Sequence, residues 1–378
     1  MRIGIYTLPL NYNYGGLLQA FALQTVLQNM GHKVVFIDRP LHSYEPFYKR
    51  PREKVKRFVR KYVLRDKSVR VFQENYEAKA YPEISKHTRK FIEQYLNTII
   101  VTDTHLLDEN DYDAIIVGSD QIWRCAFHDT SRKLYDAYLE FAEKWSHLKR
   151  ISYAASFGTD KWEYPKDKAI RCKSLLAKFD AISVREASGV TLLTQYFGFT
   201  AKHVLDPTML LDRADYAKIF ELTHTPVSKG NMMVYVLDDS DSKNNLINEY
   251  EKRLHLSSFR VNSQADNINL PVSQRVQPPV EQWLRGFQDA RFVVTDSFHA
   301  CVFSILFGKP FVAIGNKNRG MSRFESLLQT FGLSDRLISV ENNDFVIPQS
   351  DILLAQTKLK SLRAESMQFL TSALNDLL

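Results

Sequence analysis

The sequence predicts an α/β protein made of two doubly wound, Rossmann-like domains that face a cleft. Three observations carry this expectation. Short apolar runs rich in β-branched residues alternate with helical patterns along the whole chain, as parallel sheets covered by helices require. At 378 residues the chain is longer than one ordinary core serves, so two domains follow. Polar clusters recur just past the apolar runs, where open α/β sheets collect ligands.

Composition agrees with a soluble globular class, with 44% hydrophobic and 25% charged residues. No apolar run approaches the ~20 residues of a membrane span. The opening stretch, MRIGIYTLPL, enters a strand pattern directly and lacks a signal peptide's layout. Cys125, Cys172 and Cys301 lie far apart and match no metal spacing. A cytoplasmic setting is therefore expected, with no metal and no other cofactor.

The first domain is expected over residues 1–206. Ile3 to Leu8 reads as a strand, and Asn11-Tyr-Asn-Tyr-Gly-Gly is a loop ending in two glycines. Leu17 to Met30 has a broad apolar helical face, Gly31 stops it, and Val34 to Ile37 is the second strand. The loop lacks the spaced glycines of a dinucleotide fingerprint. A helical insertion follows over about 46–96. Within it, residues 53–64 carry Val55, Phe58, Val59, Tyr62 and Val63 on one face and Lys54, Lys56, Arg57, Arg60 and Lys61 on the rest. The net charge of +7 is concentrated here, with eleven Lys or Arg between Lys49 and Arg70 against Glu53 and Asp66. Such a helix either makes peripheral contact with an anionic membrane surface or docks on the protein with a solvated outer face. No basic–aromatic stripe recurs elsewhere, so a nucleic-acid partner is not expected.

Ala114 to Val117 is a strand ending in Gly118-Ser-Asp-Gln-Ile-Trp123. Ile151 to Ala155 is another, closed by Ser156-Phe-Gly158. A helix near 165–178 leads to strand Ala181–Val184 and then to Arg185-Glu186, where an arginine can grip phosphate or carboxylate. Helix 187–196, His203-Val-Leu205 and Asp206-Pro207 complete the domain. Residues 207–230 show no strong strand and read as a linker.

The second domain is expected over 231–350. Met232 to Leu237 is a strand, 241–254 a helix, Arg260-Val261 a short strand and 279–289 a helix. Phe292 to Val294 is the central strand. Thr295, Asp296 and Ser297 then break the apolar run with side chains suited to a helix cap. The helix from Ala300 to Phe307 is apolar nearly all round, Gly308 ends it, and Phe311 to Ile314 is the next strand. His299 falls in the first turn of that helix, either as part of an anion site or as a cap. Gly315 to Arg323 is a basic, glycine-flanked loop before helix 324–331. Residues 351–378 form a long amphipathic helix expected to pack back towards the first domain. Two such halves across a cleft make a GT-B-like architecture.

The loop Asn13-Tyr-Gly-Gly, Val117-Gly-Ser-Asp-Gln-Ile-Trp, Tyr153-Ala-Ala-Ser-Phe-Gly, Ser183-Val-Arg-Glu, Leu205-Asp-Pro-Thr and Thr295-Asp-Ser-Phe-His-Ala, in that order, resemble the polysaccharide pyruvyl transferase family. The resemblance runs through most of the chain. It implies transfer of pyruvate from phosphoenolpyruvate, as donor substrate, onto the hydroxyls of a nucleotide- or lipid-linked sugar. The product is a ketal, in bacterial cell-surface polysaccharide synthesis at the cytoplasmic, inner face of the membrane. Better-known branches carry an arginine two residues before the histidine, and Ser297 stands there in this chain. Arg185 matches the family's other anion-binding arginine, and Arg319 or Arg323 can supply the missing charge from the neighbouring loop. His299 is the candidate proton donor or phosphate partner, and Asp120 the candidate base or hydroxyl anchor. Asn13, Tyr14 and Trp123 are candidates for the acceptor, with Trp123 able to stack on a sugar or to fill the core. Two other classes stay open: a GT-B glycosyltransferase using a sugar nucleotide, and a non-catalytic sugar-binding protein of a polysaccharide-assembly complex.

Overall fold

The computed structural model describes residues 1–39, 51–66, 69–128, 130–315, 320–339 and 345–375. The first sheet comprises β1 (Arg2–Tyr6), β2 (Lys33–Asp38), β3 (Thr98–Ile100), β4 (Ala114–Val117), β5 (Lys149–Ala155), β6 (Ala181–Val184) and β7 (Lys202–His203). They lie in the order β3-β2-β1-β4-β5-β6-β7, and every pair is parallel. The second sheet comprises β8 (Met232–Tyr235), β9 (Ser258–Arg260), β10 (Phe292–Thr295), β11 (Phe311–Ile314) and β12 (Leu337–Ile338), in the order β12-β11-β10-β8-β9, again parallel throughout. Strands β4, β8, β10 and β11 are buried at every position. Helices on both faces account for their unbroken apolar runs. The result is an α/β protein of two Rossmann-like, parallel-sheet domains facing a cleft, a GT-B-like architecture.

Strand order reverses between β1 and β4 in the first sheet and between β8 and β10 in the second. Loops leaving two such neighbours part to opposite faces and open a crevice at the carboxyl ends of the strands. Both crevices contribute to the interdomain cleft.

A shared aromatic seam joins the halves. Tyr14 packs against Trp283 and Tyr235, with ring centroids 5.6 and 6.1 Å apart. Its hydroxyl donates to the Pro278 carbonyl at 2.7 Å. Residues 207–230, read as a linker, are more than that. Helix Arg213–Leu222 lies inside them, with Tyr216, Ile219 and Phe220 buried, and Tyr216 meets Phe303 edge-on at 4.9 Å. Its capping box, Asp212 with Asp215, was the available signal.

In the insertion, helix Pro51–Phe58 runs into a π-helical turn at Val59–Val63, and the apolar face is turned outward rather than packed. Helices Gln73–Ile84 and Lys86–Tyr95 follow. The last helix, Ile352–Leu374, lies against the first sheet, where Tyr153 meets Phe369, Ser366 Oγ accepts from the Leu205 amide, and Lys149 donates to the Leu374 carbonyl. No helix among the described residues is long and apolar enough to cross a membrane.

Candidate active site

The site is assembled from strand ends of both sheets. After β1, Asn13 caps helix Tyr14–Asn29 by accepting from the Gly15 amide at 3.0 Å. Gly15 is required by close approach: a Cβ there would lie 2.0 Å from Nδ1 of His299. The helix from the first domain and the histidine of the second thus meet with no side chain between them. After β4, Asp120 sits at φ +62°, and its carboxylate accepts from the Gln121 amide. Residue 120 can hold this left-handed conformation because Asp tolerates it better than most side chains.

After β10, the Thr295 hydroxyl donates to the Tyr235 carbonyl at 2.6 Å and accepts from the Ser297 amide at 3.0 Å. Asp296 is fully buried. It accepts from the amides of Leu237 and Asp238 at 2.7 and 3.2 Å, and from Lys243 at 2.7 Å. It ties the loop after β8 to the loop after β10, across the switch point. Ser297 is the N-cap residue of helix Phe298–Phe307, but its hydroxyl makes no cap bond. His299 stands in that helix's first turn, 7% exposed.

Beneath this surface lies a buried charge cluster centred on Asp206, which follows β7. One carboxylate oxygen accepts from the Thr208 amide and hydroxyl at 3.0 and 2.6 Å. The other accepts from Arg185 at 3.0 Å and from the Gln19 amide group, and lies 3.6 Å from Nε2 of His299. Burial by itself would raise the Asp206 pKa, but His299, Arg185 and Thr208 outweigh it and hold the carboxyl well below its usual range. The Arg185 side chain is 1% exposed and also 3.8 Å from both Asp120 and Glu186. Burial alone would lower its pKa, yet the three carboxylates raise it, so it is firmly charged. Its Nε and Nη2, and Nε2 of His299, have no hydrogen-bond partner. Buried polar atoms left so are uncommon and mark a place for a ligand or for water.

Arg185 and Arg323 both stack against Phe298, their guanidinium carbons 4.7 and 5.6 Å from its ring centre. Burial, then the like charge of Arg185, pull the Arg323 pKa down to about 10. A cation held under that tension is a natural receptor for an anion.

The cleft has two lobes. The first, about 590 Å³, is lined by Asn13, Asp120, Arg124, Ser297, His299 and Arg323 among others. The second, about 680 Å³, shares Asn13, Asp238 and Ser297 with it and extends along Tyr12, Arg260 and Asn262 to Asp266. The geometry therefore brings Asn13, Asp120, Ser297, His299 and Arg323 to one lobe. Arg185 lies under its floor, reaching the cleft through Asp206 and Phe298.

Two readings need correction. Trp123 is fully buried, stacks on Tyr138 at 5.2 Å and 5°, and donates to the Ala137 carbonyl, so it fills the core and cannot stack on a sugar. Tyr14 is also fully buried and spends its hydroxyl on Pro278, so it joins the domains and does not contact an acceptor. Arg319 lies outside the described residues. Sequence reading missed Asp206 as a site residue, although it follows the apolar pair Val204-Leu205, three positions past the end of β7. Asp296 was read as a cap. Among the described residues, no group of three His, Cys, Asp or Glu side chains is placed to hold a metal ion.

Solved structures with the same architecture include Arabidopsis thaliana UGT89C1 complexed with UDP-L-rhamnose. It is 12% identical, with a TM-score of 0.51, and the match covers 99% of this chain and 97% of that one. Another is the UDP-GlcNAc 2-epimerase from Neisseria meningitidis bound to UDP-GlcNAc, 10% identical with a TM-score of 0.46 over 98% and 93% of the two chains. At 12% identity the likeness to UGT89C1 is one of fold. No curated protein sequence matches. The sequence profile described as polysaccharide pyruvyl transferase matches residues 13–318, a span that includes Asn13, Asp120, Arg185, Ser297 and His299, and the chain belongs to that family.

Proposed function

We propose that the protein transfers pyruvate from phosphoenolpyruvate onto two hydroxyls of a sugar, forming a ketal in the synthesis of a cell-surface polysaccharide. The observation that carries this reading is the unpartnered Nε2 of His299, at a helix amino terminus beside Asp206, within the span of the family match. In the reaction two C–O bonds form at the central carbon of the donor and its bond to the phosphate oxygen breaks. One hydroxyl proton is balanced by protonation of the methylene carbon, and the other leaves with phosphate. His299 supplies the proton to carbon or steadies the phosphate, and Asp120 removes a hydroxyl proton. The free N–H groups and dipole of helix Phe298–Phe307 contribute roughly 0.3–1 kcal/mol to holding the anion. Arg323 and Ser297 contact it from the same lobe, so the charge absent at Ser297 is relocated. Asn13 and the second lobe receive the acceptor, which is carried on a nucleotide or a lipid at the inner face of the membrane.

A second reading is favoured by the second lobe, which is larger than a three-carbon donor needs and is lined by amides and Arg260. There the protein is a glycosyltransferase using a sugar nucleotide, on the architecture on which UGT89C1 is complexed with UDP-L-rhamnose. One experiment separates the two. The protein is incubated with phosphoenolpyruvate and a panel of nucleotide- and lipid-linked sugars while phosphate release is followed. Calorimetric titration with each donor runs alongside, on wild type and on Ser297→Arg. The pyruvyl reading expects phosphate release that falls about 100-fold or more in His299→Ala. Tight binding of a sugar nucleotide with no response to phosphoenolpyruvate in either protein replaces it with the glycosyl reading. Sugar binding without turnover of any donor leaves a non-catalytic binding protein.

A further inference from the structure

We propose that the surface of residues 51–66 and 69–72 docks on an anionic lipid bilayer and holds the second lobe of the cleft against it. The inference stands whichever group the enzyme transfers. On this surface Val55, Phe58, Tyr62 and Val63 are 62, 52, 59 and 68% exposed, with Leu64 and Phe72 exposed beside them. Helix Pro51–Phe58 and its π-helical extension border a groove of about 480 Å³ closed on the other side by Val71 and Phe72. A stripe this apolar, left outside by a fold that buries Trp123 and Trp283 completely, is a contact surface.

Charge identifies what it contacts. The described residues between 51 and 72 hold eight Lys or Arg against Glu53 and Asp66. Arg57 is committed to Glu74 at 2.7 Å and Arg60 to Asp66 at 2.9 Å, whereas Arg52 and Arg65 are exposed and Lys61 stands over the Tyr62 ring. An apolar stripe flanked by cations is the pattern that inserts into the headgroup region of an anionic leaflet. A protein partner would need a matching run of acids around an apolar ridge, whereas an anionic leaflet meets both features at once.

The surface is also fixed relative to the cleft. Arg70 stacks on Tyr76 and donates to the Ile268 carbonyl at 2.5 Å. Glu77 on the next helix takes a two-pronged contact from Arg275 at 3.1 and 2.6 Å. Tyr12 donates to Asp266 at 2.7 Å. These contacts fall at the rim of the second lobe, which Ala265, Asp266 and Asn267 line. A lipid-borne substrate would meet that lobe from the membrane plane.

The test uses the full chain and vesicles of phosphatidylglycerol or of phosphatidylcholine. Wild type is expected to sediment with the first and not with the second. Arg52→Glu/Lys56→Glu/Arg65→Glu should lower the bound fraction at low salt by about tenfold or more. Val55→Ser/Phe58→Ser/Tyr62→Ser should leave only weak, salt-sensitive binding. Because such variants can misfold, hydrogen exchange of wild type is followed as well, and phosphatidylglycerol vesicles should slow exchange within 51–72. No sedimentation of wild type, equal sedimentation of all three proteins, or protection confined to other segments overturns the proposal. So does self-association that protects the same stripe in the absence of lipid.

Discussion

Asp206→Asn is the perturbation that most directly tests the buried cluster. The substitution keeps an oxygen for the Thr208 amide and hydroxyl, but it replaces the charge facing Arg185 and His299 with a neutral group. At an effective dielectric of about 20, the 3.0 Å contact with Arg185 is worth about 5–6 kcal/mol, and each 3.8 Å contact of Arg185 with Asp120 and Glu186 about 4 kcal/mol. The mutant guanidinium therefore keeps more than half of its attraction. The loss should fall at or below the 3–5 kcal/mol typical of an abandoned buried charge, and about 2–3 kcal/mol of stability is expected. Urea unfolding at a series of pH values measures it. Since the folded-state pKa of Asp206 is depressed, its contribution is fully present above the ordinary carboxylate value of about 4. It is lost as pH falls towards the folded value, so most of the difference between wild type and variant should have gone by about pH 2. A difference below about 1 kcal/mol at neutral pH, or one unchanged in acid, refutes the electrostatic account.

Three further outcomes follow from the geometry. Gly15→Ala puts a methyl where the His299 ring stands, so turnover should fall about 100-fold and overpacking should cost about 1–3 kcal/mol of stability, read by parallel kinetics and chemical denaturation. Arg323→Gln should raise KM for an anionic donor about tenfold or more in steady-state kinetics. Its depressed pKa means that the protonated group opposes folding below about 10, so at neutral pH the variant should be no less stable than wild type. Trp123→Ala should cost about 3–5 kcal/mol in chemical denaturation, while KM for the sugar acceptor in the residual folded enzyme stays unchanged.

Local pattern carried most of the architecture. The β-branched runs Ala114–Val117, Phe292–Thr295 and Phe311–Ile314 are buried on both faces, and no other element type suits them at that length. What escaped was set by tertiary partners. Nothing near Asp206 announces that Arg185 and His299 will share its carboxylate, since that pairing spans both domains and depends on Gly15 admitting the histidine ring. Trp123 sits two residues past Gln121 in a polar motif, where a sugar-stacking ring and a core aromatic look alike in sequence. Its neighbours in space are Tyr138 and Phe157. The π-helical turns at Val59–Val63 and Leu193–Phe197 likewise leave no local signature, because their apolar spacing also fits an α-helix.

The position of helix Ile352–Leu374 bears on how the protein is made. Leu370, Ala373 and Leu374 are buried, Phe369 covers Tyr153, and Ser366 satisfies the Leu205 amide, so the first sheet borrows part of its cover from the far end of the chain. During translation the amino-terminal half emerges with that floor bare. It must wait for some 150 further residues, the whole second sheet included, before its core can close. Contacts of such long sequence separation are slow to form and leave apolar surface uncovered meanwhile. Over that interval, about two-fifths of the chain, the nascent protein is expected to be prone to aggregation. A ribosome stalled before residue 352 would display a sheet with no lid, and premature termination there should yield aggregate rather than a free-standing first domain.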